Sequence, residues 1–311
     1  SKKMHFSGEE GIDLADWQEK LDAGEKQTIQ NFYQRMVQMN LRNSVFLDVT
    51  ASKSVPMLYP EVLKKSISIA TPNKIAATDL QEKYLHLKRL ERKYKTQFLF
   101  ETNVCAGLPV ISTLSDLVKS GDRIHRIEAV LSGTLNFLFN NYDGSSSFSS
   151  IVRRAKDEGF SEPDPRLDLS GQDVMRKILI LVRESGYSLE MDQIVGKGFV
   201  PEACMKAKNV EEFFELVENE EAHFQHIVAE AKSQGKRIKY VAKFEEGQAS
   251  TGLEYVDSKH PFYNLEGSDN IVLFYTDRYT NQPLVIKGAG AGAEVTASGI
   301  FADIMRVASS N

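Results

Sequence analysis

The sequence predicts an α/β protein in which a doubly wound parallel sheet is followed by an α+β domain. Its first third alternates short apolar runs with helical patterns, which is typical of strands joined by helices. From residue 239 onward, four apolar runs follow one another without helices between them, as antiparallel strands do. With 311 residues, of which 41% are hydrophobic, the chain is large enough to bury two cores.

The first third contains three predicted helix–strand pairs. The helices cover residues 26–38, 56–65 and 78–94, and the strands cover residues 44–49, 66–70 and 97–101. Connections of this length pass over a sheet as right-handed crossovers, so these strands are expected to run parallel.

The remainder of the chain predicts a second domain of mixed type. A helix after residue 109 leads to a strand over residues 124–131 and then to several helices, one of them over residues 173–184. The four alternating runs cover residues 239–244, 251–256, 270–275 and 283–287. A glycine turn over residues 288–292 then feeds a terminal helix over residues 296–307.

Polar residues follow each of the three predicted parallel strands. The strands end in residues 48–52 (Asp-Val-Thr-Ala-Ser), 71–74 (Thr-Pro-Asn-Lys) and 101–104 (Glu-Thr-Asn-Val). Turn chemistry alone accounts for any one of these segments, since Asp, Asn, Thr and Pro are common turn formers. Ligands of open α/β sheets bind at the carboxyl ends of the strands, so three such segments in succession favour a binding crevice.

Charge and composition argue against several function classes. The formal net charge of -5 shows no basic excess, so nucleic acid is not an expected partner. The longest apolar run, residues 178–182, is far shorter than the ~20 residues of a membrane span, and no signal peptide is recognised, so we expect a cytoplasmic protein without a membrane partner. The two cysteines lack Cys-x-x-Cys spacing and are expected to be reduced thiols rather than zinc ligands.

The segment from residue 159 to residue 177 carries the strongest chemical signal. Asp173 and Lys177 lie four residues apart on a predicted helix and therefore share a face. A surface ion pair of this kind is worth only ~0.3 to 0.5 kcal/mol. The helix continues, however, through the apolar residues 178–182, which predicts burial of its first turn. With Glu162 and Asp168 upstream, three carboxylates and one ammonium could converge on a small polar substrate that bears an amine.

This segment resembles the signature of homoserine dehydrogenases. The matching residues are 162–166 (Glu-Pro-Asp-Pro-Arg), 168–171 (Asp-Leu-Ser-Gly), 173–174 (Asp-Val) and 176–177 (Arg-Lys). The resemblance extends along the chain to residues 48–52, 71–74, 101–109, 131–134, 288–292 and 295–299. Residues 13–17 (Asp-Leu-Ala-Asp-Trp) and the stop soon after residues 301–303 resemble the dehydrogenase part of a fusion with aspartokinase, which implies a possible aspartokinase domain upstream.

The resemblance implies a Rossmann-like fold and a specific reaction. Residues 1–109 and 292–311 would form an incomplete dinucleotide-binding domain, and residues 110–291 would form the substrate-binding and dimerisation domain. The implied activity is the reversible NAD- or NADP-dependent reduction of aspartate 4-semialdehyde to homoserine. Homoserine dehydrogenases form homodimers or higher homo-oligomers, so a homo-oligomer is expected here.

Residue roles follow from the same resemblance. Lys177 would donate the proton to the developing alkoxide, and Lys74 would lie between the nicotinamide ribose and the substrate. Glu162 and Asp173 would bind the substrate, with Asp168 supporting them. The remaining implied contacts are those of Thr50, Lys74, Gly159 and Gly292 with the cofactor, and those of Glu101, Val104, Ala106 and Leu108 with a sodium ion.

Two departures from the family pattern leave alternatives open. Cys105 stands where a glycine is usual, which affects the backbone of the implied sodium loop and allows a rival in which Cys105 is the nucleophile of an aldehyde dehydrogenase. The sequence also lacks the Gly-x-Gly-x-x-Gly turn of a dinucleotide-binding domain, and the Gly-x-Gly-x-Gly turn over residues 288–292 cannot replace it. A second rival is therefore a truncated fragment that folds and dimerises but is catalytically silent. The choice between NAD and NADP stays open.

Overall fold

The computed structural model describes residues 3–7 and 11–309. In its first third, short strands alternate with helices along the chain. The elements are β1 (Lys3–Met4), α1 (Trp17–Asp22), β2 (Glu25–Lys26), α2 (Ile29–Met39), β3 (Val45–Leu47), α3 (Tyr59–Lys64), β4 (Ser68–Ala70), α4 (Ile75–Thr78), α5 (Gln81–Tyr94) and β5 (Phe98–Leu99). A 3-10 turn precedes α3 at Val55–Leu58, and another follows β5 at Glu101–Asn103.

The predicted parallel sheet is confirmed, with the strand order β3-β4-β5. Strand β4 lies at the centre of this sheet and is buried. Strand β3 pairs with β4 on one side and with no strand of the described residues on the other. Leu47, the last residue of β3, is 43% exposed, and Val49, two residues later, is 60% exposed. This edge therefore presents unpaired backbone groups and apolar side chains on which a further strand could be added.

In the first third of the chain, two of the predicted helices begin at a different residue in the structure. The helix predicted over residues 26–38 begins at Ile29, because Lys26 pairs with Lys3 in the β1–β2 ribbon and the Thr28 side chain caps the helix. The helix predicted over residues 78–94 is wrong at its first turn, since α4 ends at Thr78 and α5 begins at Gln81. The two helices are separated by Asp79, whose backbone is extended.

The second part of the chain contains further helices and one large sheet. Its elements are α6 (Val110–Lys119), β6 (Ile124–Val130), α7 (Gly133–Asn141), α8 (Phe148–Asp157), α9 (Arg166–Leu169), α10 (Gln172–Glu184), β7 (Val195–Gly196), α11 (Glu202–Met205), α12 (Val210–Asn219), α13 (Glu221–Ser233), β8 (Arg237–Glu245), β9 (Gln248–Val256), β10 (Asn270–Thr276), β11 (Leu284–Gly288) and α14 (Ala293–Ser309).

The predicted antiparallel strands belong to a six-stranded sheet of order β11-β10-β6-β8-β9-β7. All of its pairings are antiparallel except that of β7 with β9. The sequence reading missed β7, which is only two residues long. Helices α7, α10 and α13 pack against β8 and bury the apolar side chains of one sheet face in the main core.

Helix α14 returns to the first part of the chain. The Asp303 carboxylate accepts the backbone N–H of Glu101 at 3.0 Å, and Arg306 forms an ion pair with the Glu101 carboxylate at 3.0 Å. The terminal helix therefore packs beside the end of the parallel sheet, close to the polar segment that follows β5. Among residues 3–7 and 11–309, no helix is long and apolar enough to cross a lipid bilayer.

One buried cation in β8 escaped the sequence reading. Lys239 is fully buried, and its ammonium donates to Asn136 Oδ1 at 2.9 Å, to Asn140 Oδ1 at 2.6 Å and to the Leu265 carbonyl at 2.7 Å. All three acceptors are neutral, so burial lowers the pKa of Lys239 to about 8. The lysine ties α7 to the segment that precedes β10.

Replacing Lys239 by methionine is expected to change how stability depends on pH. Because the folded-state pKa lies below that of the unfolded chain, the unfolded chain binds more protons between pH 8 and pH 10.5. Lys239 alone should therefore contribute about 3 kcal/mol to the change in stability as the pH rises through this window, and this contribution is lost in Lys239→Met. Urea unfolding at both ends of the window should show that the change in stability with pH is more favourable by this amount in the native protein and in Lys243→Met, whose lysine is 40% exposed, than in Lys239→Met. An equal change in Lys239→Met would contradict the prediction.

Candidate active site

The polar segments that follow β3 and β4 meet at a buried carboxylate, as expected for a crevice at the carboxyl ends of parallel strands. Asp48 is 2% exposed and accepts hydrogen bonds from the Tyr59 hydroxyl at 2.7 Å and from the Asn73 amide at 3.1 Å. Its other carboxylate oxygen accepts the Thr50 hydroxyl at 2.7 Å, and its backbone carbonyl accepts the Thr71 hydroxyl at 2.8 Å. These contacts fix the short turn that places Lys74 at the start of α4.

Helix α10 begins at a glycine that no other residue could replace without rearrangement. Gly171 has a φ of +70°, and a Cβ at this position would lie 2.1 Å from the Tyr240 hydroxyl. The close approach sets the start of α10 against β8. Helix α10 then buries a continuous apolar run behind its first turn, as predicted.

Three charged side chains meet where α4 faces the first turn of α10. Lys177 Nζ lies 2.8 Å from the Asp173 carboxylate, and Lys74 Nζ lies 3.3 Å from the same carboxylate. Lys177 also donates to the Leu131 carbonyl at 2.7 Å. The exposed fractions are 12% for Lys177, 28% for Lys74 and 45% for Asp173, so the cluster opens to solvent on the carboxylate side.

The two ammonium groups and the carboxylate set one another's protonation. Burial would raise the pKa of Asp173, but the attraction of Lys177 and Lys74 outweighs it and holds that pKa well below its usual range. Burial would lower the pKa of Lys177, but Asp173 raises it above its ordinary value. For Lys74 burial prevails and lowers the pKa, and the attraction of Asp173 offsets this only in part. Lys177 is therefore a protonated, largely buried acid at neutral pH.

Asp168 organises the loop before α10 rather than pairing with a lysine. It accepts the Thr134 hydroxyl at 3.1 Å, the Ser161 hydroxyl at 3.2 Å and the backbone N–H of Glu162 at 2.9 Å. Thr134 lies in the first turn of α7, three residues after the carbonyl of Leu131 that holds Lys177. Asp168 and Lys177 are thus joined through the start of α7. The Glu162 side chain is exposed and forms no ion pair with a described residue.

The residues expected to touch a cofactor lie on separate segments of the chain. Thr50 is exposed beside Asp48. Gly159 has a φ of +77° and precedes Phe160, whose carbonyl accepts the Thr134 hydroxyl. Gly292 has a φ of +118° and accepts the Thr296 amide at 3.0 Å at the start of α14. The space around a Cβ of either glycine is open, so neither is required by packing against a described residue.

The segment from Glu101 to Leu108 is buried and has an unusual backbone. The two Glu101 carboxylate oxygens accept backbone N–H groups at the start of α6, one from Ile111 at 2.6 Å and the other from Ser112 at 3.0 Å, and the second oxygen also binds Arg306. Cys105 and Ala106 have φ values of +60° and +50°. Two successive non-glycine residues in this conformation are costly and are usually found at functional sites. Cys105 therefore adopts the left-handed backbone conformation that favours glycine, the residue usual at this position in the family pattern.

Cys105 is a poor candidate for a nucleophile. It is 0% exposed, and burial raises the pKa of its thiol, although Lys177 and the Asn270 amide partly counteract this. Asn270 donates to its sulfur at 3.4 Å. A substrate aldehyde could not reach this sulfur without movement of the surrounding core, which disfavours the thiohemiacetal mechanism.

Two cavities lie away from the charged cluster. One has a volume of about 680 Å³ and is lined among others by Phe137, Phe160 and Lys232. The other, of about 530 Å³, lies between α3 and α5. Neither is lined by Lys177 or Asp173, whereas convergent charge and perturbed pKa values mark the cluster between α4 and α10.

Comparison with known proteins agrees with this geometry. The family model for homoserine dehydrogenase matches residues 109–305. The chain is 41% identical to homoserine dehydrogenase of Schizosaccharomyces pombe, over 86% of the chain and 73% of that protein. It is 43% identical to the chloroplastic bifunctional aspartokinase/homoserine dehydrogenase 2 of Arabidopsis thaliana, over 99% of the chain. The chain spans about a third of the length of that relative, 34%.

Solved structures have the same fold. A Candida auris protein of unknown function superposes with a TM-score of 0.91 at 33% identity, covering 99% of this chain and 88% of that one. A hyperthermophilic archaeal homoserine dehydrogenase in complex with NADPH superposes with a TM-score of 0.72 at 23% identity, covering 96% and 82%. The family match over residues 109–305 and the identity to the fission-yeast protein show that the chain belongs to the homoserine dehydrogenase family.

Proposed function

We propose that this protein is an NAD(P)-dependent homoserine dehydrogenase, which reduces aspartate 4-semialdehyde reversibly to homoserine. The observation that carries the proposal is the cluster of Lys74, Asp173 and Lys177, in which a largely buried ammonium is kept protonated next to a partly open carboxylate. This arrangement suits a reaction that creates negative charge on a carbonyl oxygen and then needs a proton.

Lys177 is the proposed proton donor. Its bonds to the Leu131 carbonyl and to Asp173 fix the direction of the ammonium, so that one N–H remains for the substrate oxygen. In the reduction, this proton passes to the alkoxide as it forms. In the oxidation of homoserine the neutral amine would have to take the proton back, so that direction should be favoured by alkaline pH.

The carboxylates are proposed to bind the substrate's amine and hydroxyl. Glu162 has an exposed carboxylate without an ion-pair partner among the described residues, which leaves it available for an ammonium. Asp173 is half-exposed and can accept the substrate's donors on its open side. Asp168 supports both, because it holds the backbone of Glu162 and the start of α7.

The proposed cofactor contacts are Thr50, Lys74, Gly159 and Gly292. They fit the nicotinamide end of a dinucleotide, because Thr50 is exposed, both glycines leave open space, and Lys74 is a half-buried cation next to the reacting region. A relative of the same fold is known in complex with NADPH. The cofactor, when bound, supplies or accepts the hydride. NAD and NADP both remain candidates, since no described residue in the crevice identifies the ribose 2′ group.

A sodium ion is proposed in the segment from Glu101 to Leu108. The carbonyl oxygens of Val104 and Ala106 accept no hydrogen bond from a described residue, and such oxygens are suitable ligands for a hard cation. The Leu108 carbonyl accepts the Val110 amide at 2.8 Å and keeps a second lone pair. Because the Glu101 carboxylate is already bound to α6 and Arg306, Glu101 would contribute its backbone carbonyl.

The proposed domain division assigns residues 1–109 and 292–311 to the dinucleotide-binding domain and residues 110–291 to the substrate-binding domain. The packing of α14 beside Glu101 supports joining the terminal helix to the first domain. Fusion to an aspartokinase domain is proposed from the similarity to bifunctional relatives.

Homodimerisation through the six-stranded sheet is the expected assembly. Strand β11 has no partner on its outer edge among residues 3–7 and 11–309, and Val285 in it is 47% exposed. Sedimentation equilibrium at micromolar concentration should therefore give the mass of a dimer or higher oligomer. A charge placed on the edge by Val285→Lys should lower the association constant, while Met57→Lys, at a 77% exposed position in a helical turn, should not. A monomer for the unchanged protein would contradict this prediction.

The proposed activity is tested by following NADPH or NADH consumption in the full-length protein with aspartate 4-semialdehyde, and their formation with homoserine. Turnover in both directions is expected. No turnover of either substrate by the full-length protein would overturn the proposal.

A further inference from the structure

The junction between α4 and α5 is held by a buried arginine from the far end of α10. The Arg183 side chain is 0% exposed, and its guanidinium donates to the Ala77 carbonyl at 2.9 Å and to the Asp79 carbonyl at 2.7 Å. It also donates to the Leu189 carbonyl at 2.9 and 3.1 Å and pairs with the Glu190 carboxylate at 3.0 Å. A fully buried cation with this many acceptors costs much to desolvate, so its placement is specific.

The contacts of Arg183 account for the break in the helix predicted over residues 78–94. The Ala77 and Asp79 carbonyls both point at the guanidinium, and Asp79 is extended instead of helical. On the other side of the break, Glu190 accepts the backbone N–H of Gln81 at 2.9 Å and so caps the start of α5. Arg183 and Glu190 together hold both ends of the junction.

Helices α4 and α10, which Arg183 joins at one end, carry the charged cluster at their other ends. Lys74 precedes the first residue of α4, and Ala77 and Asp79 follow within five positions. Asp173 and Lys177 lie in the first half of α10, and Arg183 lies near its end, about 9 Å along the axis from Lys177 at 1.5 Å per residue. A short helix of four residues has little rigidity of its own, so its position depends on what binds its ends.

We propose that Arg183 is a positioning residue that acts through Lys74, by holding α4 against α10 so that the Lys74 ammonium stays beside Asp173. This inference rests on the proposed function, in which Lys74 contacts substrate and cofactor. Loss of Arg183 frees the C-terminal end of α4 and lets Lys74 move away from the carboxylate. A misplacement of about 1 Å at a reacting centre can cost ~10²-fold in rate.

A double-mutant cycle on the full-length protein tests this proposal. We expect Arg183→Met to lower kcat by ~10-fold to 100-fold in the native background, and by less than about twofold when Lys74 is already alanine. Arg183→Lys, which keeps the charge and part of the hydrogen bonding, should lose less and show the same non-additivity. It keeps the test decisive if Arg183→Met does not fold. The control is Arg278→Met, because Arg278 donates to the Ser120 carbonyl at 2.9 Å far from α4, and its kcat should be unchanged.

A second readout needs no turnover. Hydrogen exchange of the amides in residues 75–83 should be faster in Arg183→Met than in the native protein, and unchanged in Arg278→Met. Equal losses of kcat from Arg183→Met in both backgrounds, or unchanged exchange in residues 75–83, would overturn the proposal and leave Arg183 a stabilising contact only. If Lys74→Ala itself leaves kcat unchanged, the role of Lys74 in the proposed function is wrong, which is distinguishable from a failure in the cycle.

Discussion

Replacing Lys177 by alanine is expected to lower kcat by ~10² to 10⁴ in both directions while the affinity for the cofactor stays nearly the same. The side chain is 12% exposed, and its two partners are fixed groups, the Leu131 carbonyl and the Asp173 carboxylate. Water could enter the vacated space but would not carry a proton of matched acidity. The loss therefore belongs to the transition state rather than to substrate binding.

The matched control for this variant is Lys206→Ala. Lys206, which directly follows α11, also forms an ion pair with the carboxylate four residues before it, that of Glu202 at 2.5 Å. The Lys206 side chain, however, is 72% exposed. Steady-state kinetics and a fluorescence titration with the cofactor should show no change there. A Lys177→Ala protein with near-native kcat would remove Lys177 from the chemistry and support the reading of its ion pair as an ordinary surface pair.

Much of the site could be predicted from the sequence because its spacing has a geometric meaning. The four-residue interval between Asp173 and Lys177 places both on one face of α10. The apolar run behind them predicts burial, which is found for Lys177 at 12% exposure but not for Asp173 at 45%. The rule that carboxyl ends of parallel strands share an edge puts Lys74 in the crevice, and the family resemblance puts it beside the substrate. Neither predicts its contact with Asp173, which the structure shows at 3.3 Å from a different part of the chain.

The remaining contacts leave no mark in the sequence. The Leu131 carbonyl that holds Lys177 is a backbone group, and any residue at this position would provide it. Thr134 looks like an ordinary residue in the first turn of a helix, although it binds Asp168. The break at Asp79 contains neither Gly nor Pro, so the local sequence does not reveal it. The contact that makes it comes from Arg183, about a hundred residues further along the chain. Such long-range hydrogen bonds are determined by tertiary packing, which overrides local helix propensity.

Asparagine in place of Asp173 is expected to lower kcat/KM for the reduction by ~10² to 10³ while keeping the size of the side chain. The change removes the negative charge that both lysines share, so Lys177 and Lys74 are left as neighbouring cations in a half-buried site. Burial lowers the pKa of Lys177, and in the native protein Asp173 outweighs it. Without the carboxylate, burial prevails and the pKa of Lys177 falls below its ordinary value.

The lower pKa of Lys177 in Asp173→Asn should shift the pH profiles of both reaction directions. In the native enzyme the loss of reduction that follows deprotonation of Lys177 should lie above pH 10.5, because the pKa of Lys177 is raised above that value. In Asp173→Asn this alkaline limb should move to lower pH, and the rise of homoserine oxidation with pH should move the same way, because a neutral amine becomes available earlier. Glu202→Gln removes the carboxylate of the exposed pair with Lys206 and should move neither limb. An Asp173→Asn enzyme that loses activity but keeps both limbs at the native pH would show that Asp173 binds substrate without tuning Lys177.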